Sequence, residues 1–269
     1  MIQSNNFVWK KDIIESILVH IKVAKKYEKN LDHCLLYGKP GLGKTSMAKI
    51  IADNLGVKIK IIQGTEIQIK ADIINAICNL SDNDVLLIDE IHSINRQCYE
   101  LFYSIMEEHK INISIGKENN TKITQVDVPK ITIIGATTDI GSLPRPFEDR
   151  FPIILNFVSY SNEELSLIIS NHLIKNELEN LFSQKEILKI ASYSRGTPRI
   201  AKNLLSRVID FKLSDYKNIN HIFKKIKIFE KGLRQIEISY LKLFQEKSLG
   251  ISYIAQMLQI NEKTVESKI

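Results

Sequence analysis

The chain has 269 residues, is 44% hydrophobic and carries a formal charge of +6. That length buries a sizeable core and predicts about two domains, or three small ones. Three features argue against membrane insertion, secretion, and a disulfide framework or zinc site: no apolar run of the ~18 residues a span needs, no basic-then-apolar N-terminus, and three scattered cysteines without a C-x-x-C pair.

In chain order, residues 7–29 predict a helix with Ile13, Ile14, Ile17, Leu18 and Ile21 on one face. Residues 33–37 predict a buried strand, with His33 and Cys34 as strand-edge residues and not a ligand pair. The strand runs into Gly38-Lys39-Pro40-Gly41-Leu42-Gly43-Lys44-Thr45, which fits the spacing G-x-x-x-x-G-K-[ST]. Such glycines let the backbone curl so that successive N–H groups face a phosphate. Lys44 would reach the β- and γ-phosphates, and Thr45 would offer its hydroxyl to Mg²⁺. A helix over 47–55 would point its dipole at the anion. Residues 57–62 predict a second strand. Residues 71–80 predict a helix, with Cys78 as a small core residue.

Asp84-Val85-Leu86-Leu87-Ile88-Asp89-Glu90 is the second diagnostic stretch. Apolar residues running into two acids describe a buried parallel strand that ends at a site. Asp89 would hold Mg²⁺, and Glu90 would act as general base toward the attacking water. A helix ends at Met106-Glu107-Glu108-His109. Residues 111–115 and 123–128 alternate and flank the polar stretch 116–121, which predicts a β-hairpin. Residues 131–134 predict another buried strand, closed by Gly135-Ala136-Thr137-Thr138, whose hydroxyls would orient water or sense the γ-phosphate. Two prolines, Pro144 and Pro146, predict a stiff turn. Arg150 then stands before the next strand, 153–157, where it would reach a neighbouring subunit's nucleotide.

From Asn162 the strands stop. Helices are predicted over 163–174, 184–192 and 198–211. Thr197 fits an N-cap and Pro198 the first helical position. Arg199 then lies in a first turn, unfavourable for a cation unless an anion is near. Residues 213–229 are basic and loosely periodic. Helices over 237–244 and 252–258, then a third starting at 261, show helix-turn-helix spacing. Residues 185–269 carry 17 Lys and Arg against 8 Asp and Glu, leaving 1–184 net negative. That imbalance points to a polyanion partner or to a lysine-rich solvated surface.

These stretches together resemble the RuvB family of AAA+ ATPases, from about residue 10 to the end. The likeness rests on residues 31–45, on Asp89-Glu90-Ile91-His92 and Asn95-Arg96, on Ile115-Gly116-Lys117, on Gly135-Ala136-Thr137-Thr138, and on Ser194-Arg195-Gly196-Thr197-Pro198-Arg199-Ile200-Ala201. It implies an α/β fold: a P-loop AAA+ domain with a three-layer αβα parallel sheet (1–158), a small helical lid (159–232) and an incomplete winged-helix domain (233–269). It implies an ATP-driven motor for Holliday junction branch migration in recombination and repair. Lys44 and Thr45 match Walker A, with Ser46 beside them and Gly41, Leu42 and Gly43 as the phosphate cradle. Asp89 and Glu90 match Walker B. Thr138 matches the sensor threonine, with Thr137 as the alternative. Arg150 matches the arginine finger, Arg199 the second sensor arginine, and Tyr160 a tyrosine near the nucleotide. Glu107, Glu108 and His109 match a segment facing a neighbour's ATP.

The implied cofactors are ATP and Mg²⁺, the metal on Thr45 and Asp89. The implied partners are Holliday junction DNA, a RuvA-like protein docking on the 111–128 hairpin, five further copies in a homo-hexamer, and a RuvC-like resolvase. A cytoplasmic location follows. Against the family pattern, Lys39 replaces a usual proline, Asp139-Ile140 an Arg-Ala pair, and Glu148 an arginine or neutral residue. An Arg-Pro element flanking adenine has no counterpart, the N-terminus is short, and the chain stops before the family's wing. Two rival readings fit parts of the chain: a clamp-loader or initiator ATPase, and a truncated, non-translocating relic.

Overall fold

The computed structural model describes residues 8, 10–115, 122–243 and 249–268. The chain divides into two compact units, Met1–Val158 and Ser159–Ile269.

In the first unit, strands β1 (Cys34–Gly38), β2 (Ile59–Gln63), β3 (Val85–Asp89), β6 (Thr132–Thr137) and β7 (Ile153–Phe157) form one sheet in the order β2-β3-β6-β1-β7. Every neighbouring pair is parallel. The central strands are buried on both faces, which is why they read as unbroken apolar runs. Leu35, Leu86, Ile88 and Ile133 share one core cluster with residues of α3 (Lys70–Ile77) and α4 (Tyr99–Glu108). On the other side, α2 (Lys44–Leu55) packs on β1, β3 and β6, and α1 (Lys11–Lys26) packs on α2 and β7. The result is the expected three-layer αβα sandwich. Each large apolar side chain buried in it contributes roughly 1.5–3 kcal/mol.

Several local expectations are corrected. Helix α3 ends at Ile77, so Cys78 falls beyond its last turn and is exposed; Cys34 and Cys98 are the buried thiols. The stretch around Pro144 and Pro146 is not a plain turn but a single helical turn, α5 (Arg145–Glu148). Proline fits there because a first-turn N–H has no intrahelical acceptor to lose. Strands β4 (Lys110–Ile115) and β5 (Lys122–Asp127) pair antiparallel as the expected hairpin. Its predicted polar tip, 116–121, with Gly116 and Lys117, lies outside the described residues.

The second unit is helical among its described residues. Helices α6 (Asn162–Lys175) and α7 (Gln184–Ser192) each open with a capping box, Ser161 with Glu164 and Ser183 with Glu186. Both pack with α8 (Pro198–Leu213), which carries α9 (Ile219–Lys225). Thr197 precedes α8 but its hydroxyl makes no capping bond; it donates instead to the Arg195 carbonyl at 3.3 Å. Helices α10 (Gln235–Leu243), α11 (Ile251–Leu258) and α12 (Glu262–Lys268) close around a small cluster of Ile254, Ala255 and Val265.

Candidate nucleotide site

The carboxyl ends of β1, β3 and β6 converge, and the side chains singled out for phosphate chemistry converge with them. Beyond β1 the loop turns through Gly41 (φ 79°) and Gly43 (φ 106°), backbone conformations that only glycine adopts cheaply. Gly43 is the N-cap of α2, so the helix begins with its free N–H groups facing the loop's concave side. Leu42 anchors the loop in the core. Lys44 is buried, and its ammonium donates to the carbonyls of Gly38 (2.7 Å) and Lys39 (3.1 Å).

The Thr45 hydroxyl donates to Asp89 Oδ2 at 2.8 Å. Asp89 Oδ1 accepts the Glu90 N–H at 3.1 Å. Glu90 follows in a left-handed conformation (φ 50°), which swings its carboxylate toward β6. There Glu90 Oε2 accepts the Thr138 hydroxyl at 3.1 Å. Thr138, and not the buried Thr137, therefore touches the acid. Thr137 instead meets His92 Nδ1 at 2.9 Å and accepts the Asp139 N–H at 3.0 Å. His92 Nδ1 also lies 3.4 Å from Glu90 Oε2. An Nδ1–H facing both oxygens satisfies this arrangement, so His92 belongs to the site. In the sequence His92 stands out only as the last residue of Asp89-Glu90-Ile91-His92.

Arg150 is elsewhere. It precedes β7, whose Ile153 pairs with Cys34 at the start of β1. The P-loop leaves the other end of β1, a strand's length of roughly 17 Å away. Arg150 Nη2 contacts Glu107 Oε1 at 2.9 Å, and Nη1 donates to the Pro146 carbonyl. The guanidinium stacks over the Tyr103 ring, 4.1 Å from its centroid. Tyr103 was missed, although it stands four residues before Glu107 on the same face of α4. Helix α4 ends at His109 in a left-handed C-cap (φ 55°), with Glu107 and Glu108 exposed in its last turn. Glu107, His109 and Arg150 line a cavity of about 590 Å³ with His33, Lys130 and Asp149. His33 accepts the Ile133 N–H at 3.0 Å through Nδ1 and faces the Met106 carbonyl with Nε2. Burial lowers its pKa and favours the neutral ring, against the raising effect of that carbonyl.

In the second unit, the Tyr160 N–H donates to the Gly196 carbonyl at 2.9 Å. Its phenol is buried, which together with Glu164 pushes its pKa up to about 12. Arg199 is exposed in the first turn of α8, which holds no acidic residue.

The family profile described as the Holliday junction DNA helicase RuvB P-loop domain matches residues 2–157, and the RuvB AAA lid domain matches 160–239. The chain is 41% identical over 268 residues to the Holliday junction branch migration complex subunit RuvB of Mycoplasma genitalium, covering 98% of this chain and 87% of that protein. It is 38% identical over 267 residues to the Ureaplasma urealyticum protein of the same name, covering 98% and 85%. The solved Thermotoga maritima RuvB Holliday junction branch migration motor superposes with a TM-score of 0.82 at 30% identity, over 99% of this chain and 87% of that one. These matches favour the RuvB reading over a clamp loader or initiator. The chain belongs to the RuvB family of P-loop ATPases.

Proposed function

We propose that this chain is an ATP-driven DNA motor that moves Holliday junctions together with a RuvA-like partner. The observation that carries the chemistry is the Thr45–Asp89–Glu90–Thr138 cluster set directly beyond the glycine loop.

The cluster suits a magnesium nucleotide. Thr45 and Asp89 offer adjacent hard oxygens, the donor type Mg²⁺ takes. Gly41, Leu42, Gly43, Lys44, Thr45 and Ser46 supply backbone N–H groups and a cation for the phosphates. Mg²⁺ held there would neutralise charge on the β- and γ-phosphates. Glu90 accepts a proton from the attacking water, and the Thr138 hydroxyl fixes the carboxylate that does so. Lys44 stays close to the transferred phosphoryl group. The family resemblance assigns Tyr160 and Arg199 to nucleotide contact. Arg150 cannot reach its own chain's loop across the sheet, so it serves a neighbouring copy, with Glu107, Glu108 and His109 beside it. That arrangement supports a ring, and the family resemblance supports a hexamer.

The hairpin of β4 and β5 docks the RuvA-like partner. Helices α10–α12 carry the helix-turn-helix of a winged-helix domain (233–269), after a lid over 159–232 and an ATPase domain over 1–158. Lys and Arg there hold duplex phosphates without reading sequence. None of the described helices is long and apolar enough to cross a membrane, and we place the protein in the cytoplasm, where a RuvC-like resolvase would act on the same junctions.

The test is branch migration of a synthetic four-way junction with ATP and a RuvA-like partner. Wild type resolves the junction into its duplexes and Glu90→Gln does not. ATP hydrolysis without migration, at any salt and with partner present, would favour the non-translocating reading.

A further inference from the structure

One loop of the second unit is fastened in a way that the ATPase chemistry does not require. Residues 193–197 join α7 to α8, and two successive left-handed residues, Arg195 (φ 51°) and Gly196 (φ 68°), fold them back. On one side the Gly196 carbonyl accepts the Tyr160 N–H, and the loop launches the first turn of α8 with Arg199. Tyr193 is pinned by a stacked ring contact with Phe223 of α9, centroids 4.5 Å apart.

The other side reaches the C-terminal helices. Arg195 sends Nε (3.0 Å) and Nη2 (2.6 Å) to the Gly232 carbonyl. Its Nη1 donates to Glu237 Oε1 at 2.9 Å, and its Nη2 bonds Glu237 Oε2 as well. Glu237, in the first turn of α10, is buried and also accepts the Arg234 N–H at 2.6 Å. The close approach is built into the backbone. Gly232 has φ 71°, and a Cβ there would lie 2.1 Å from the Tyr193 carbonyl oxygen. A planar guanidinium with its donors fixed in a fork holds orientation as well as distance.

We infer that Arg195 and Glu237 form a relay that passes the nucleotide state sensed at Tyr160 and Arg199 to helices α10–α12. The inference rests on the proposed nucleotide contacts of Tyr160 and Arg199. The two bonded ends make it mechanical: displacing the loop at Gly196 or Arg199 must either break the fork or carry α10 with it. Arg195 and Glu237 are positioning residues; neither is placed on the nucleotide or the DNA.

The test is amide hydrogen exchange over residues 235–243 and 249–268 in the full chain, with a non-hydrolysable ATP analogue and with ADP. A fluorescent ATP analogue reports binding in parallel. Wild type shows exchange in these helices that differs between the two nucleotides. Arg195→Gln and the near-isosteric Glu237→Gln bind the analogue within about twofold of wild type, yet lose that difference. Both also lose most of the stimulation of ATP hydrolysis by duplex DNA, while basal hydrolysis stays. If Arg195→Gln does not fold, Glu237→Gln decides alone. The relay is overturned if both folded variants keep the nucleotide-dependent exchange, or if wild type binds the analogue and shows none. Failure of wild type to bind any nucleotide would instead sink the underlying reading.

Discussion

The hydroxyl of Thr45 donates to Asp89 across 2.8 Å, joining the first turn of α2 to the end of β3. Two oxygens so close, one of them anionic, bind a hard cation together better than either does alone. Asp89→Asn is therefore expected to weaken Mg²⁺-dependent nucleotide affinity while leaving the weaker, metal-free affinity in place. Titrating a fluorescent ATP analogue with and without Mg²⁺ separates the two. An unchanged magnesium dependence would remove Asp89 from the metal site.

Lys44→Ala is expected to abolish nucleotide binding. Glu90→Gln should bind ATP and hydrolyse it ~10²–10⁴-fold more slowly, the usual cost of a lost positioned base. Single-turnover hydrolysis measures this directly. Wild-type turnover by Glu90→Gln would assign the base elsewhere.

Arg150→Ala subunits should bind ATP normally but lose ~10³-fold or more of their hydrolysis rate. Mixing them with Lys44→Ala subunits should restore part of it, at interfaces where an intact Arg150 faces an intact Lys44. No recovery in mixed assemblies of verified composition would contradict action between copies.

Acid should loosen the second unit through Glu237. Burial alone would raise its carboxyl, but hydrogen bonds from Arg195 and Arg234 outweigh it and bring the pKa from 4.5 down to about 2. A depressed carboxyl adds stability above its unfolded pKa and loses it as pH falls through the folded one. Melting temperature should thus fall between about pH 4.5 and pH 2, and Glu237→Gln should flatten that slope. Identical pH profiles for the two proteins would show that the fork adds no stability.

Phe147→Ala should cost roughly 3–5 kcal/mol, because the ring is fully buried. It packs against Tyr99, Phe102, Tyr103 and Phe151. A chemical denaturation midpoint measures the loss. Since Phe147 also supports Tyr103 beneath Arg150, hydrolysis should fall even where the variant is folded.

The central strands were legible because they are short apolar runs, as Val85 to Ile88 shows. Helix α7 was legible to the residue because serine opens it and its apolar face is regular. What stayed hidden depends on contacts between distant segments. Nothing local in Asp89-Glu90-Ile91-His92 says that His92 meets Thr137, 45 residues on. Nothing in Arg195 announces Glu237, 42 residues away. Cys78 was misplaced because periodicity ran past the turn that ends α3. Thr197 had the right residue type for a cap, but the left-handed backbone before it turned its hydroxyl to Arg195.

Lys44 and Arg150 stand at opposite ends of one parallel sheet, and an Arg150 proposed to serve a neighbour's loop has a consequence for how copies would associate. On that proposal each copy offers an arginine end and a loop end, and a head-to-tail contact joins one copy's arginine to the next copy's loop. An open row of copies always leaves one loop without an arginine, and closing the row removes that deficit. Hydrolysis per subunit should therefore rise with protein concentration and level off only when the circle closes.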